Sequence, residues 1–98
     1  MDEVLYEKQM TGFMNQSKGG IKPNELSMYL SVFHAWVGAG QVEWFEMSYS
    51  ECGCVGMYGR KTFRKARIGL EEKGFVETRL NGIGKPLLWH LVDMTPYA

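Results

Sequence analysis

The chain contains 98 residues, enough for one domain but too few to fill the core of a second. With 45% hydrophobic and 13% aromatic residues, its composition excludes a disordered tail and predicts a packed core. The net charge is zero at pH 7, and the apolar runs are far shorter than the roughly 20 residues that a membrane-spanning helix needs.

The beginning of the chain and its two cysteines favour a reducing compartment. Residues 1–3 include two acidic side chains where a secretory signal would be basic, and no long apolar stretch follows them. Only one glycine separates Cys52 from Cys54, a spacing too tight for an ordinary disulfide. We therefore expect a cytoplasmic protein with free thiols and no membrane contact.

Two amphipathic helices are predicted at the start of the chain. The first ends near Gln16, and its apolar residues recur at helical spacing: Leu5, Tyr6, Met10, Phe13 and Met14. The second begins at Pro23, because a first helical turn tolerates proline, and it ends at residues 38–40, which include two glycines. Its predicted core face contains Leu26, Tyr29, Leu30, Phe33 and Trp36.

A short strand, a capping box and a basic helix are predicted next. Residues 42–47 have a strand pattern, and Ser48 and Glu51 have the spacing of a capping box that begins a short third helix. A fourth helix is predicted from Arg60 to Lys73, with Gly74 as its stop. One of its faces contains Phe63, Ala66 and Leu70, and the other contains Lys61, Arg64, Lys65 and Ile68.

The last part of the chain has the pattern of a β-hairpin. Residues 75–80 and 87–92 have strand composition, and the glycine-rich residues 81–86 between them have turn chemistry. The hairpin would therefore carry a basic tip at Lys85. Residues 93–98 are expected to be a frayed end.

The zero net charge conceals an asymmetry between the two parts of the chain. Residues 1–58 contain three lysines against seven acidic residues, whereas residues 59–98 contain eight basic residues against four acidic ones. Five of the eight residues from 60 to 67 are basic and none is acidic. Such a concentration of positive charge attracts phosphate, although a solvated helix face also accounts for the octet taken alone.

Four stretches of sequence carry a resemblance to a known family. They are Leu-Ser-Met-Tyr-Leu at 26–30, Ser-Tyr-Ser-Glu at 48–51, Lys-Thr-Phe-Arg-Lys-Ala at 61–66 continued by Leu-Glu-Glu-Lys-Gly-Phe-Val-Glu at 70–77, and Gly-Ile-Gly-Lys-Pro at 82–86. In this order they resemble the small winged helix-turn-helix proteins of bacterial phages, plasmids and mobile elements, including the N-terminal domains of replication initiators and replisome organisers. The resemblance covers most of residues 21–92.

The resemblance implies an α+β winged helix-turn-helix fold with three to four helices and a C-terminal β-hairpin wing. Residues 1–20 would form an N-terminal helical extension, residues 21–92 the winged-helix core, and residues 93–98 a tail. Where family members usually have an apolar residue, this chain has Arg67, whose stem we expect along the core edge with its head in water. The implied function is sequence-specific binding of double-stranded DNA, in a transcriptional regulator or in a replication or transfer accessory.

The predicted DNA contacts are Arg60, Lys61, Thr62, Arg64, Lys65, Arg79 and Lys85. The fourth helix would enter the major groove, where arginine pairs with guanine O6 and N7 and lysine meets base or phosphate. Thr62 either binds a phosphate or caps the helix. Lys85, with Arg79 on the strand before it, either reaches the backbone or minor groove or is a solvated turn residue.

Two other kinds of site are disfavoured by the residues. Cys52, Cys54, His34 and His90 are potential metal ligands, but Cys-x-Cys lacks the spacing of structural zinc sites. No catalytic or phosphate-loop motif is present in the sequence. We therefore expect neither an enzyme nor a bound cofactor, metal or small molecule.

The sequence allows two alternatives for the partner and two for the role of the first helix. The alternative to DNA binding is a winged-helix protein-interaction module whose acidic first half makes the contact, with Trp44 and Phe45 as an exposed patch. The first helix either covers the core or forms a homodimer through Tyr6, Met10 and Phe13.

Overall fold

Helices and short strands follow one another in the order that the sequence patterns predict. The computed structural model describes residues 3–52 and 59–98. The elements are α1 (Glu3–Gln16), α2 (Pro23–Gly38), β1 (Phe45–Met47), α3 (Tyr49–Cys52), α4 (Arg60–Glu72), β2 (Val76–Arg79), β3 (Leu87–Leu91) and a 3-10 helix (Thr95–Tyr97). The α+β class is confirmed, and the layout is compatible with a winged helix-turn-helix. Within the described ranges, no helix is long and apolar enough to cross a membrane.

The helix boundaries lie where the local chemistry places them. Pro23 occupies the first turn of α2, where its fixed φ suits the helix and its missing N–H is no loss. The Ser48 hydroxyl accepts the N–H of Glu51 at 3.2 Å, which confirms one half of the predicted capping box. The chain leaves α4 through Gly74, whose φ of +81° is the left-handed conformation that glycine adopts most easily.

The three strands form one antiparallel sheet in the order β1-β3-β2. Trp89 of the central strand pairs with Phe45 on one side and with Thr78 on the other. Because side chains alternate along a strand, these three residues share the face toward α4. Arg79 and His90 therefore lie on the opposite face, which we call the outer sheet face. Strands β2 and β3 confirm the predicted hairpin.

Trp89 lies at the centre of the core. Its side chain is fully buried, and its indole N–H donates to the carbonyl of Met47 at 3.1 Å. The ring of Phe63 on α4 meets it edge-on, with ring centroids 6.1 Å apart. Ala66 and Leu70 are buried beside Phe63, so the predicted inner face of α4 is confirmed.

The buried face of α2 differs from the predicted one. Leu26 and Leu30, expected in the core, are 40% and 43% exposed, whereas Met28 and Val32 are completely buried. The reason is that α2 packs against α4, β1 and β3 as well as α1. Its buried stripe is therefore set by several neighbours and not by its own apolar pattern alone.

Residues 93–98 pack against α1, in contrast to the frayed end expected from the sequence. Met94 is buried, and its carbonyl approaches α1 so closely that a Cβ added at Gly12 would lie 1.7 Å from the carbonyl oxygen. The side-chain amide of Asn15 donates to the carbonyl of Tyr97 at 2.8 Å. Because these contacts join opposite ends of the chain, no local sequence pattern predicts them.

The buried amide of Gln9 joins α1, α2 and the C-terminal segment. Its Nε2 donates to the Tyr29 hydroxyl at 3.1 Å and to the Val92 carbonyl at 2.8 Å, and its Oε1 accepts the N–H of Met94 at 2.9 Å. Burial raises the pKa of Tyr29, so this hydroxyl stays protonated. Phe13 stacks on Tyr29 with centroids 3.5 Å apart, and α1 therefore covers the core.

We expect Gln9→Leu to lower the free energy of unfolding by about 3 kcal/mol, because the Val92 carbonyl and the Met94 N–H would stay buried without a partner. Urea unfolding followed by tryptophan fluorescence measures the change. Gln16→Leu, at an exposed position of the same helix, is the control and should change stability by less than about 0.5 kcal/mol. A loss below about 1 kcal/mol for Gln9→Leu would mean that this amide does not hold the chain ends.

Candidate nucleic-acid interface

Helix α4 separates its cationic residues from its apolar ones. Four exposed cations, which we call the basic face, lie outside its buried stripe: Arg60, Lys61, Arg64 and Lys65. In the part of the chain that the structure describes, ion pairs engage Arg67, Lys73 and His90 but none of these four. The basic face therefore presents positive charge to solvent without an ion-pair partner among the described residues, and the helical spacing predicts three of its members, Lys61, Arg64 and Lys65.

The N-terminal end of α4 lies beside the hairpin. The guanidinium of Arg60 sits 4.8 Å from the centroid of the Tyr49 ring, and that ring in turn meets Phe63 edge-on at 5.2 Å. Cation–π contact with a packed ring limits the directions that the arginine side chain adopts. Arg60 and Lys85 line the same open groove between α4 and the hairpin loop. The structure thus brings these two predicted contacts together.

The start of α2 forms the other flank of α4. Thr62 and Lys65 line a groove together with Lys22 and the residues that follow it in α2. Thr62 is half-buried inside the helix, whose N-cap is Gly59, so the capping role considered for Thr62 is wrong. Sequence reasoning missed Lys22, although its place just before the proline of a helix start puts it at an exposed helix end.

Arg79 lies apart from the basic face. Its guanidinium stacks over the Trp44 ring, 4.0 Å from the centroid, and the same ring packs against His90 with centroids 5.3 Å apart. A ring nitrogen of His90 is 2.8 Å from the carbonyl oxygen of Glu43. This cluster occupies the outer sheet face, and the sheet separates it from α4. Phe45, which was paired with Trp44 in the expected exposed patch, is buried.

Arg67 is not directed into water, and that expectation is wrong. Its guanidinium donates to Oε1 of Glu71 at 3.2 Å and to the Thr78 hydroxyl at 3.1 Å, and the Thr78 hydroxyl also donates to Glu71. Glu71 lies on the next turn of α4 and Thr78 on β2. The fifth basic residue of 60–67 is therefore neutralised at the junction of helix and sheet, where it fixes the orientation of α4.

A buried carboxylate fixes the other flank of α4. Oε1 of Glu25 accepts the N–H of Lys22 at 2.9 Å and a hydrogen bond from the ammonium of Lys73, and a Cβ at Gly69 would lie 1.9 Å from Oε2. Burial raises the pKa of Glu25, but the hydrogen bond from Lys73, the amide of Lys22 and both positive charges outweigh it. The net effect lowers the pKa from 4.5, so Glu25 is ionised at neutral pH.

The described members of the potential metal ligands, His34, Cys52 and His90, lie on three separate elements. His34 is on α2, His90 is on the outer sheet face, and Cys54 falls outside the described residues. Among residues 3–52 and 59–98, no group of three histidine, cysteine or acidic side chains is arranged to hold a metal ion. Most of the glycine-rich turn before α4, residues 53–58, also lies outside the described part of the chain.

A comparison of the sequence with protein-family models and with curated proteins finds no match. The function of this surface is therefore inferred from its own residues and their geometry.

Glu25→Gln should lower the free energy of unfolding at neutral pH and should make that free energy depend less on pH in acid. Because the folded-state pKa is lowered, the carboxylate contributes stability above about pH 4.5, and this is lost as the pH falls through the folded-state pKa. We expect the variant to lose about 2 kcal/mol at pH 7 and to show a flatter decline in acid. Urea unfolding at a series of pH values measures both, with the exposed Glu7→Gln as the control. Equal acid slopes for wild type and Glu25→Gln would contradict the assignment.

Proposed function

We propose that this protein is a winged helix-turn-helix protein that binds double-stranded DNA in a sequence-specific manner. The observation that carries the proposal is the basic face of α4, with four exposed cations on one side of a helix whose other side is buried in the core. A helix packed in this way fixes the points on its backbone from which the charged side chains project. That is what entry into a major groove about 12 Å wide requires.

The chemistry of each contact follows from its place on the proposed interface. Arg60 and Arg64 are suited to pair with guanine O6 and N7, because the guanidinium donates two parallel hydrogen bonds. Lys61 and Lys65 are suited to base or phosphate. Thr62 and Lys85, on the two flanks, are assigned to phosphate and fix the register of the helix along the duplex.

Arg79 has a different role in this proposal. Its guanidinium stacks on Trp44 on the outer sheet face, so the sheet separates it from the basic face of α4. We assign it to the outer sheet face, where it supports the base of the hairpin.

The distribution of charge makes DNA binding compatible with a net charge of zero. Residues 59–98 carry eight basic and four acidic side chains, a balance of +4, and residues 1–58 carry the opposite balance. Two of those four acids, Glu71 and Glu77, contact Arg67 and His90 and lie away from the basic face. The positive field is therefore concentrated on one side of the domain.

The biological role rests on the resemblance carried by residues 26–30, 48–51, 61–77 and 82–86. From it we infer a bacterial or phage protein that acts as a transcriptional regulator or as a replication or transfer accessory of a mobile element, and we propose the cytoplasm as its location. Both roles use the same binding chemistry, and the protein acts by recognition and not by catalysis.

We also propose a homodimer that forms through the groove between α1 and α2. Tyr6 and Met10 line this groove with Leu30, His34 and Val37, whereas Phe13 is occupied in the core. A homodimer would carry two basic faces, as binding to paired half-sites requires.

One observation favours a protein-binding module instead. Glu43 and Glu46 are exposed beside Trp44, and although Arg79 covers the Trp44 ring, these two carboxylates give the first half of the chain an acidic patch. A basic partner would fit this patch without any contact to α4.

The double variant Arg64→Ala/Lys65→Ala should weaken DNA binding at least tenfold at low salt, because each lost phosphate or base contact removes a charge-assisted hydrogen bond. Fluorescence anisotropy of a labelled duplex measures the affinity. We expect the slope of log affinity against log salt to fall by about 0.9 for each phosphate contact removed.

The control for this experiment is Lys8→Ala/Lys18→Ala, which removes the same charge from exposed positions before α2. It should bind with wild-type affinity. If wild type fails to bind at low salt, or binds with a flat salt response, the DNA proposal fails and the acidic patch becomes the better candidate.

The dimer is tested by sedimentation velocity over a range of concentrations. We expect a species of twice the 11.2 kDa chain mass, and we expect Leu30→Glu to convert it to monomer because a charge in an apolar interface cannot be desolvated. Val42→Glu, at another exposed apolar residue, should leave the dimer intact. A single 11.2 kDa species at the highest concentration would overturn the dimer.

A further inference from the structure

The loop of the hairpin exposes two large aliphatic side chains. Leu80 is 85% exposed and Ile83 is completely exposed. Ile83 is the most accessible large apolar residue in the part of the chain that the structure describes. Single exposed apolar residues are common on proteins. Here two of them lie within four positions, in the loop that joins β2 to β3.

The backbone of the loop holds Ile83 in a defined position. Gly82 and Gly84 on either side of it have φ values of +116° and +74°, conformations that residues with a side chain rarely adopt. The N–H of Lys85 closes the turn on the carbonyl of Gly82 at 3.3 Å. Below the loop, Arg79 of β2 pairs with Leu88 of β3. Ile83 is thus presented at the tip of a closed turn.

The tip also lies next to cationic groups. Gly84 and Lys85 line the groove whose opposite wall contains Arg60 and Phe63 of α4. If the basic face occupies a major groove, as proposed above, the hairpin loop beside α4 would meet the adjacent phosphate backbone. An aliphatic side chain forms no favourable contact with phosphate, but it packs favourably against the faces of bases when it reaches the minor groove.

We propose that Ile83, supported by Leu80, is an apolar wedge that enters the minor groove of bound DNA and partly unstacks one base step. The inference rests on the proposed function and extends it, since it makes the protein a DNA-bending protein and adds a preference for deformable steps. Lys85 beside the wedge binds the phosphate that flanks the opened step. Unstacking bends the duplex toward the major groove, which wraps it more closely around α4.

The wedge is tested with a duplex of about 16 base pairs, roughly one and a half turns, that contains a central T–A step in an A·T tract. Dyes at its two ends report the end-to-end distance by energy transfer, and anisotropy of the same duplex reports binding. We expect wild type to shorten the distance measurably, because a kink of about 60°, within the range that such wedges produce, shortens a duplex of this length by about 7 Å. A duplex of equal length that contains no pyrimidine–purine step should bend less, because those steps are the ones that kink most easily.

Three variants separate the wedge from the charge. Ile83→Ala and Leu80→Ala/Ile83→Ala should abolish the bend. The affinity should change by less than about fivefold, because the variants lose the contact between the side chain and the bases but no longer need to unstack a base step. Ile83→Lys should also abolish the bend but bind more tightly at low salt, because it adds a cation near phosphate. Val4→Ala, at an exposed apolar residue of α1, is the control and should bend DNA like wild type.

The outcomes distinguish this inference from the proposed function. Wild-type binding without a change in end-to-end distance, or bending by Ile83→Ala equal to that of wild type, would overturn the wedge and leave DNA binding by α4 intact. No binding at low salt would overturn the proposed function and the wedge together.

Discussion

The burial of Trp89 is the interaction on which the position of α4 depends. Its indole N–H is satisfied by the Met47 carbonyl, its backbone pairs with strands on both sides, and its ring receives the edge of Phe63. A buried aromatic side chain of this size contributes more to a small core than most other residues, and its one polar atom must find a partner there. Because Phe63 packs against this ring, the opposite side of α4 is exposed to solvent.

Polar contacts then fix the rotation of that helix. Arg67 is tied to Thr78 of the sheet through a network that includes Glu71, and Glu25 at the start of α2 receives Lys73 just beyond the end of α4. Both contacts neutralise basic residues of the C-terminal half of the chain. The positive charge that remains on α4 is therefore concentrated toward its N-terminal half, which is the part that a groove-binding helix presents to base edges.

The two ends of the chain are held by the same kind of chemistry. Gln9 has an almost completely buried amide, and each of its bonds reaches a residue distant in sequence. Without these bonds the Val92 carbonyl and the Met94 N–H would be costly to bury. α1 and the C-terminal segment consequently act as a structural support for the outer part of the core, and the groove that α1 forms with α2 remains open on the other side.

The sequence by itself determined the order of the elements, the bounds of α2 and α4, the hairpin and the two faces of α4. These features depend on neighbours along the chain, such as proline in a first turn, glycine at a stop and a helical repeat of apolar residues, so a local pattern is enough to read them. Only the tertiary structure decided that Arg67 is neutralised, that Arg79 stacks on Trp44, that Lys22 joins the flank of α4, and that residues 93–98 are packed. The tertiary structure also decided that Leu26 and Leu30 are exposed, because their exposure depends on how α2 is rotated between its neighbours. In each case the deciding partner lies on another element, and a contact between elements leaves no periodic signal in either segment.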